Sequence, residues 1–372
     1  MDDLKAFFKA NEVKIGRDYT VGTPLYYDSL RSAFSHYFST FLDQKHTLHL
    51  IVETNDWTQE AFSSAVLHYN LSQSILGFHR FFELFIKDVL RSINPYLAVK
   101  FLEKEEELFL FFDGNLSADQ IKTIEFAESL KRLKQAFKSI NKESELYIEK
   151  LNKWEFINEK KAITALDILA DWRNRIMHNG TTYPNQFAYE YLITQEIIPI
   201  IKKIMDLDKR TIDFEPHYFI TPTGIDIITS LQDVKFNFQD GSNHQKRSEV
   251  ADILLYINHL KELGRSSMTQ DFYRRDNKDY KEMDYENPKE RAERFAEAER
   301  NHLEFYALNN CNCCGVKSQV VYRKIYWSLF KKCNDFKSWL RCFNCDYSIG
   351  SNICDPFLFG LSYERIFPIN ME

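Results

Sequence analysis

A mainly helical protein that closes on a small, β-rich cysteine module is the fold this sequence predicts. Three observations carry the expectation. Breakers are scarce, with 11 Gly and 9 Pro in 372 residues, while 31 Phe and 20 Tyr supply large side chains for helix-on-helix packing. Apolar residues recur at three- and four-residue spacing through the middle of the chain, the period of a helix with one buried face. All seven cysteines fall between 311 and 354.

In chain order, residues 1–55 combine a short amphipathic start, a helix over 26–42 and a strand over 47–52, and are read as an N-terminal cap segment. Asp56 or Thr58 can cap the next helix, with Glu60 behind; 61–93 then keeps helical spacing until Asn94-Pro95 stops it. A short apolar run, 108–112, ends at the turn signal Asp113-Gly114. Ser117 with Gln120 has the form of a capping box and opens a helix to 140, followed by another over 144–154. The helix over 160–177 ends at His178-Asn179-Gly180, where Gly180 suits a left-handed stop. After Tyr183-Pro184 comes a helix over 186–205. Helices this close, joined by short turns, predict a bundle over 56–206.

Residues 207–305 read as a connector. Some extended structure leads to the polar loop 240–247, then to an amphipathic helix over 249–263. The stretch 271–304 alternates in charge and from Pro288 predicts an exposed helix laced by Glu293, Arg294, Glu297 and Arg300. It is read as a solvated spacer, with a partner-binding helix as the sharper alternative.

The N-terminus, MDDLK, has acids where a secretory signal needs bases, and no stretch approaches 18 uninterrupted apolar residues. A disulfide framework would scatter its cysteines through the fold, whereas these are clustered in CxxC pairs. A cytoplasmic protein, without a membrane partner, is expected. The net charge of −6 is unevenly spread. Between Cys311 and Gly350 seven bases oppose two acids, so that segment carries +5 and leaves −11 for the rest. A basic lobe on an acidic body is either a footprint for phosphate or a solvated face.

Residues 306–372 form the cysteine module, in which Cys311-x-x-Cys314-Gly315 and Cys342-x-x-Cys345 frame a β-rich stretch, 319–327. Each CxxC turns two thiolates to one side of a tetrahedral ion at about 2.3 Å, and Gly315 permits the left-handed turn that follows. The pattern predicts a zinc ribbon with Cys311, Cys314, Cys342 and Cys345 as ligands to a structural zinc. Four thiolates leave no open position for substrate. Cys313, Cys333 and Cys354 are left as small core residues, Cys313 being a poorer substitute for Cys314. The ribbon sets Arg323, Lys324, Lys331 and Lys332 beside Tyr322, Tyr326, Trp327 and Trp339, which suits single-stranded nucleic acid. The same rings could form the ribbon's own core.

At the end of the 160–177 helix the chain reads Asp171-Trp172-Arg173-Asn174-Arg175-Ile176-Met177-His178. This Arg-x4-His motif, with Asn after the arginine, resembles the HEPN family of metal-independent ribonucleases, over the motif and its bundle context, 56–206. The resemblance implies an endoribonuclease that leaves a 2′,3′-cyclic phosphate, with RNA as substrate and catalytic residues Arg173, Asn174 and His178. It further implies a homodimer placing two motifs in one cleft, and a toxin or antiviral defence effector held by an antitoxin or other restraining partner. The chemistry is coherent. Histidine transfers protons near neutrality, and arginine's planar fork matches phosphate. Residues five apart on a helix lie about 140° apart, so the pair needs unwinding or a second copy to meet. A second match, Arg31 to His36, lacks the asparagine and the helix end. His79, Glu83 and Lys87 form a polar stripe on the first bundle helix; Glu83 is a candidate to orient the site, or else a salt-bridge partner of Lys87. The runner-up function is a non-catalytic RNA- or protein-binding scaffold. A DNA-binding regulator is weaker, since no helix-turn-helix accompanies the ribbon.

Overall fold

Aromatic rings at helical spacing decide how the first two long helices meet. A computed structural model describes residues 24–54, 65–100, 121–179, 184, 186–208, 210, 219–236, 247–276, 288–326 and 335–350. Helix α1 (Tyr26–Thr54) buries Tyr26, Leu30, Phe34, Tyr37 and Phe41 against α2 (Ala65–Ile93). Phe34 meets Phe78 edge-on at 5.2 Å, and Tyr26 meets Phe85 at 5.5 Å. Contacts that ascend α1 while descending α2 make the pair antiparallel. At their closest point a Cβ on Gly77 would lie 2.8 Å from the Cα of Ala33, so only glycine lets the two backbones approach this far.

The strand expected over 47–52 is helix instead. Residues 43–46 contain no breaker, and adding a turn to an existing helix is far easier than starting a new element. Residues 26–41 of this helix are therefore core rather than a cap.

Asn94 ends α2 and caps the 3₁₀ turn Pro95–Ala98, its side chain accepting from the Tyr96 N–H at 3.0 Å. Helix α3 (Phe126–Ser139) begins later than expected, and its proposed capping box, like the 108–112 run, lies outside the described residues. The helix expected over 144–154 is a π turn, Tyr147–Leu151, followed by a 3₁₀ turn, Asn152–Asn158. Helix α4 (Lys160–Asn179) buries Ala162, Ala165, Leu166 and Leu169. Next, α5 (Gln186–Tyr191) runs through a π stretch, Leu192–Ile197, into α6 (Ile198–Leu207). Pro199 lacks an N–H and would crowd the carbonyl of Gln195; the wider turn accommodates it.

The connector contributes core as well. A short helix, α7 (Ile227–Gln232), is capped by Asp226, which accepts from the Thr229 N–H at 2.9 Å. Helix α8 (Arg247–Asp276) crosses α1 where a Cβ on Gly264 would lie 2.6 Å from the Phe38 ring. Its Ile257, Leu260 and Leu263 join the same apolar cluster as α1, α2, α4 and the ribbon. On that face Lys261 and Glu190 form an ion pair with both side chains at 0% exposure. Lys261 also donates to Thr40 at 2.9 Å, and the Tyr37 hydroxyl donates to Glu190 at 3.0 Å. Burying two charges is tolerated because their hydrogen bonds are supplied in this way; removing one partner would strand the other.

Helix α9 (Pro288–Ala298) is charged outside, as expected, yet it is more than a spacer. Ala292 and Ala296 are buried, and Ala296 packs on Val320 and Tyr322. Strands β1 (Phe305–Asn309), β2 (Gln319–Tyr326), β3 (Asp335–Cys342) and β4 (Ser348–Gly350) form one antiparallel sheet in sequence order. The molecule is thus mainly helical with a small C-terminal sheet. Among the described residues no helix is long and apolar enough to cross a membrane.

Candidate functional site

Two matching turns build the cysteine cluster. In the first, the Gly315 N–H donates to the Cys311 carbonyl at 2.8 Å; in the second, the Asp346 N–H donates to the Cys342 carbonyl at 3.0 Å. Gly315 has φ +74 and Asp346 φ 56, so both turns end in the left-handed region. Asp346 occupies a place where only its short polar side chain makes a non-glycine residue tolerable. Backbone N–H groups point at sulfur, from Cys313 to Cys311 Sγ at 3.3 Å and from Asn344 to Cys342 Sγ at 3.4 Å.

The four ligand sulfurs lie within 4.8 Å of one another. Cys311 and Cys345 are 3.6 Å apart, as are Cys314 and Cys342. A tetrahedral zinc with bonds of about 2.3 Å requires sulfurs about 3.8 Å apart, so the donor set is compatible with that metal. Cys311, Cys342 and Cys345 are buried and Cys314 partly so, leaving no room for a substrate among them. The sequence-predicted ligands are therefore all brought together. Of the proposed nucleic-acid residues, Arg323 pairs in register with Ser338 and Lys324 with Lys337, while Trp327, Lys331, Lys332, Cys333 and Cys354 lie outside the described residues.

Sequence reasoning missed how the cluster is seated. Cys313 is fully buried, its thiol 3.7 Å from the Leu263 carbonyl and 3.5 Å from the Ser267 hydroxyl of α8. Buried Glu262 accepts from the Ser348 N–H at 2.8 Å and pairs with Arg265 at 2.6 Å. Arg265 donates in turn to the Asp346 carbonyl at 2.6 Å. Burial pushes the Glu262 carboxyl above its ordinary range, opposed by Arg265. The single available signal was the Glu262-x-x-Arg265 spacing, which does not name its partner.

Arg173 and His178 share α4 and are not brought together within one chain. Arg173 is half-buried, and it donates to Asn174 Oδ1 at 2.9 Å. His178 is exposed in the last turn. Neighbouring Arg175 pairs with Asp171 at 2.8 Å. The neighbouring helix α2, which packs on α4, carries the polar stripe. Glu83 holds Lys87 at 2.5 Å and lies 3.9 Å from His79, whose ring packs on Phe126 at 4.6 Å. His79 is pushed down to about 4 by burial, against the pull of Glu83 and with the Arg173 and Lys87 charges adding to the depression. It stays neutral near pH 7. His36 of the alternative motif bonds Asn70 at 3.1 Å between α1 and α2.

Comparison with protein-family models, with curated proteins and with solved structures finds no match.

Proposed function

We propose that this protein is an endoribonuclease acting through Arg173 and His178 in a homodimer, with a structural zinc on Cys311, Cys314, Cys342 and Cys345. One observation carries the reading: a half-buried arginine bonded to Asn174 shares α4 with a histidine exposed in that helix's last turn, the residue types and spacing of the motif. In the proposed reaction the substrate 2′-oxygen attacks phosphorus and the bond to the 5′-oxygen breaks. One proton leaves the 2′-hydroxyl and one arrives on the 5′-oxygen. His178 carries one of these transfers, and the Arg173 guanidinium meets the charge growing on the phosphate. Asn174 keeps the fork of Arg173 in place. Since the two residues diverge on α4, a second copy completes the cleft. The basic ribbon supplies phosphate contact, and zinc bound there would hold the ribbon's fold.

The test is cleavage of total RNA by pure protein in EDTA, with product ends analysed for 2′,3′-cyclic phosphate. His178→Ala should slow cleavage by about 10²–10⁴ with fold and dimer preserved, and Arg173→Ala nearly as much. His36→Ala should remain active. If His178→Ala cleaves as fast as wild type, the enzyme reading falls. The scaffold reading, which the closed set of four sulfurs favours, then takes its place.

A further inference from the structure

On the other flank of α4, away from Arg173, lies a cleft of about 710 Å³ between α4 and α5 with its π stretch. This is within the range of small-ligand sites, roughly 300–1,000 Å³. Its walls are the rings of Trp172, Phe187 and Tyr191, and its lining is almost entirely carbon. Ala165 and Ala188 contribute only methyl groups to the lining.

The walls are held open by contacts of their own. Phe187 and Tyr191 pack edge-on against Phe236 at 5.3 and 5.2 Å. Glu190, the residue before Tyr191, is anchored by the buried pair with Lys261. The π stretch widens one wall, a local geometry that recurs at functional sites. The polar groups gather at one end. Lys160, Lys161, Thr164 and Glu196 line the mouth, and Lys161 spans to Glu196 at 3.3 Å. With Lys161 offset by Glu196, Lys160 leaves a positive charge there.

We propose that this cleft binds a small anionic amphiphile, a carboxylate with an apolar chain of about ten to sixteen carbons. At roughly 30 Å³ per water-sized group, 710 Å³ accommodates a molecule of this size. A carbon-lined body with one net positive charge at its mouth, Lys160 beside the Lys161–Glu196 pair, matches a ligand having one charged end, rather than a partner helix with polar groups along its length. The proposal is independent of RNA cleavage.

The test is calorimetric titration of the full chain, below micelle-forming concentrations, with decanoate, dodecanoate, dodecanol and dodecyltrimethylammonium. Dodecanoate should bind most tightly, and decanoate about fifteenfold less, since each of the two further buried methylenes contributes about fourfold. Lys160→Glu should weaken dodecanoate about threefold or more without disturbing the fold, because an acid suits a helix N-terminus. Ile168→Glu, at a wall position already 38% exposed, should abolish binding. Equal binding of all three head groups, absence of carboxylate binding, or binding unchanged by Ile168→Glu overturns the proposal. So does a dimer that Ile168→Glu splits while no ligand binds, because the occupant is then a second copy.

Discussion

In the cysteine cluster every donor lies within four residues of the turn that aims it, whereas Arg173 and His178 share one helix and face different ways. The first arrangement is local. Two CxxC turns, each closed by a backbone hydrogen bond and a left-handed residue, need only meet across a β hairpin. In the proposed dimer, the second would depend on what surrounds it, a second copy completing the cleft that one chain leaves open. A motif in which one chain's geometry is complete can be read as a site; one in which it is incomplete can be read only as half of one. Between them sits α8, which ties the ribbon to the bundle through Glu262 and Arg265.

The largest expected effect tests how local the cluster is. Cys345→Ser, or chelation of the metal, should unfold the ribbon, since structural zinc typically supplies on the order of 10 kcal/mol to such modules. Hydrogen exchange should show protection lost across β2–β4, reduced around Glu262–Ser267 of α8, and kept in α2. Full protection of the strands in metal-free protein would show that zinc does not hold this fold.

A smaller effect is expected at the junction. Arg265→Ala leaves Glu262 buried beside the ribbon with its charged partner removed, at a cost of about 3 kcal/mol. Glu262→Gln paired with Arg265→Ala should recover part of this, because the stranded charge is gone. Denaturant midpoints for the two variants decide the matter. A double variant no more stable than Arg265→Ala would show that the ion pair is not what seats the ribbon.

Acid supplies the smallest and most graded comparison. His79 in the bundle and His259 on α8, whose ring faces Tyr347 at 6.3 Å, are both pushed by burial from 6.5 down to about 4. Between those values the unfolded chain binds more protons than the folded one. Stability therefore falls as pH drops from 6.5 toward 4, by up to about 1.4 kcal/mol per unit for each histidine. His259→Gln should flatten its share of that slope. A melting-temperature difference from wild type that stays constant between pH 7 and 4.5 would remove His259 from the account.

What the sequence determined by itself is whatever rests on short range. Sulfur ligands three apart, a glycine after the knuckle, helical periodicity in 61–93 and 160–177, and β-rich composition over 319–327 all act between near neighbours, so they are legible without a fold. Only the tertiary structure decided that α1 and α8 are core rather than cap and connector. It alone showed Cys313 seated against α8, Asp346 taking the conformation of Gly315, and Pro199 preceded by a π stretch. An apolar stripe records that a face is buried, not what it meets. Tyr37 and Glu190 are 153 residues apart in sequence and 3.0 Å apart in space, and Lys261 joins them from a third helix. No local pattern encodes such a meeting. It arises because burying one charge requires its partner, and the partner can come from any part of the chain that packing brings near.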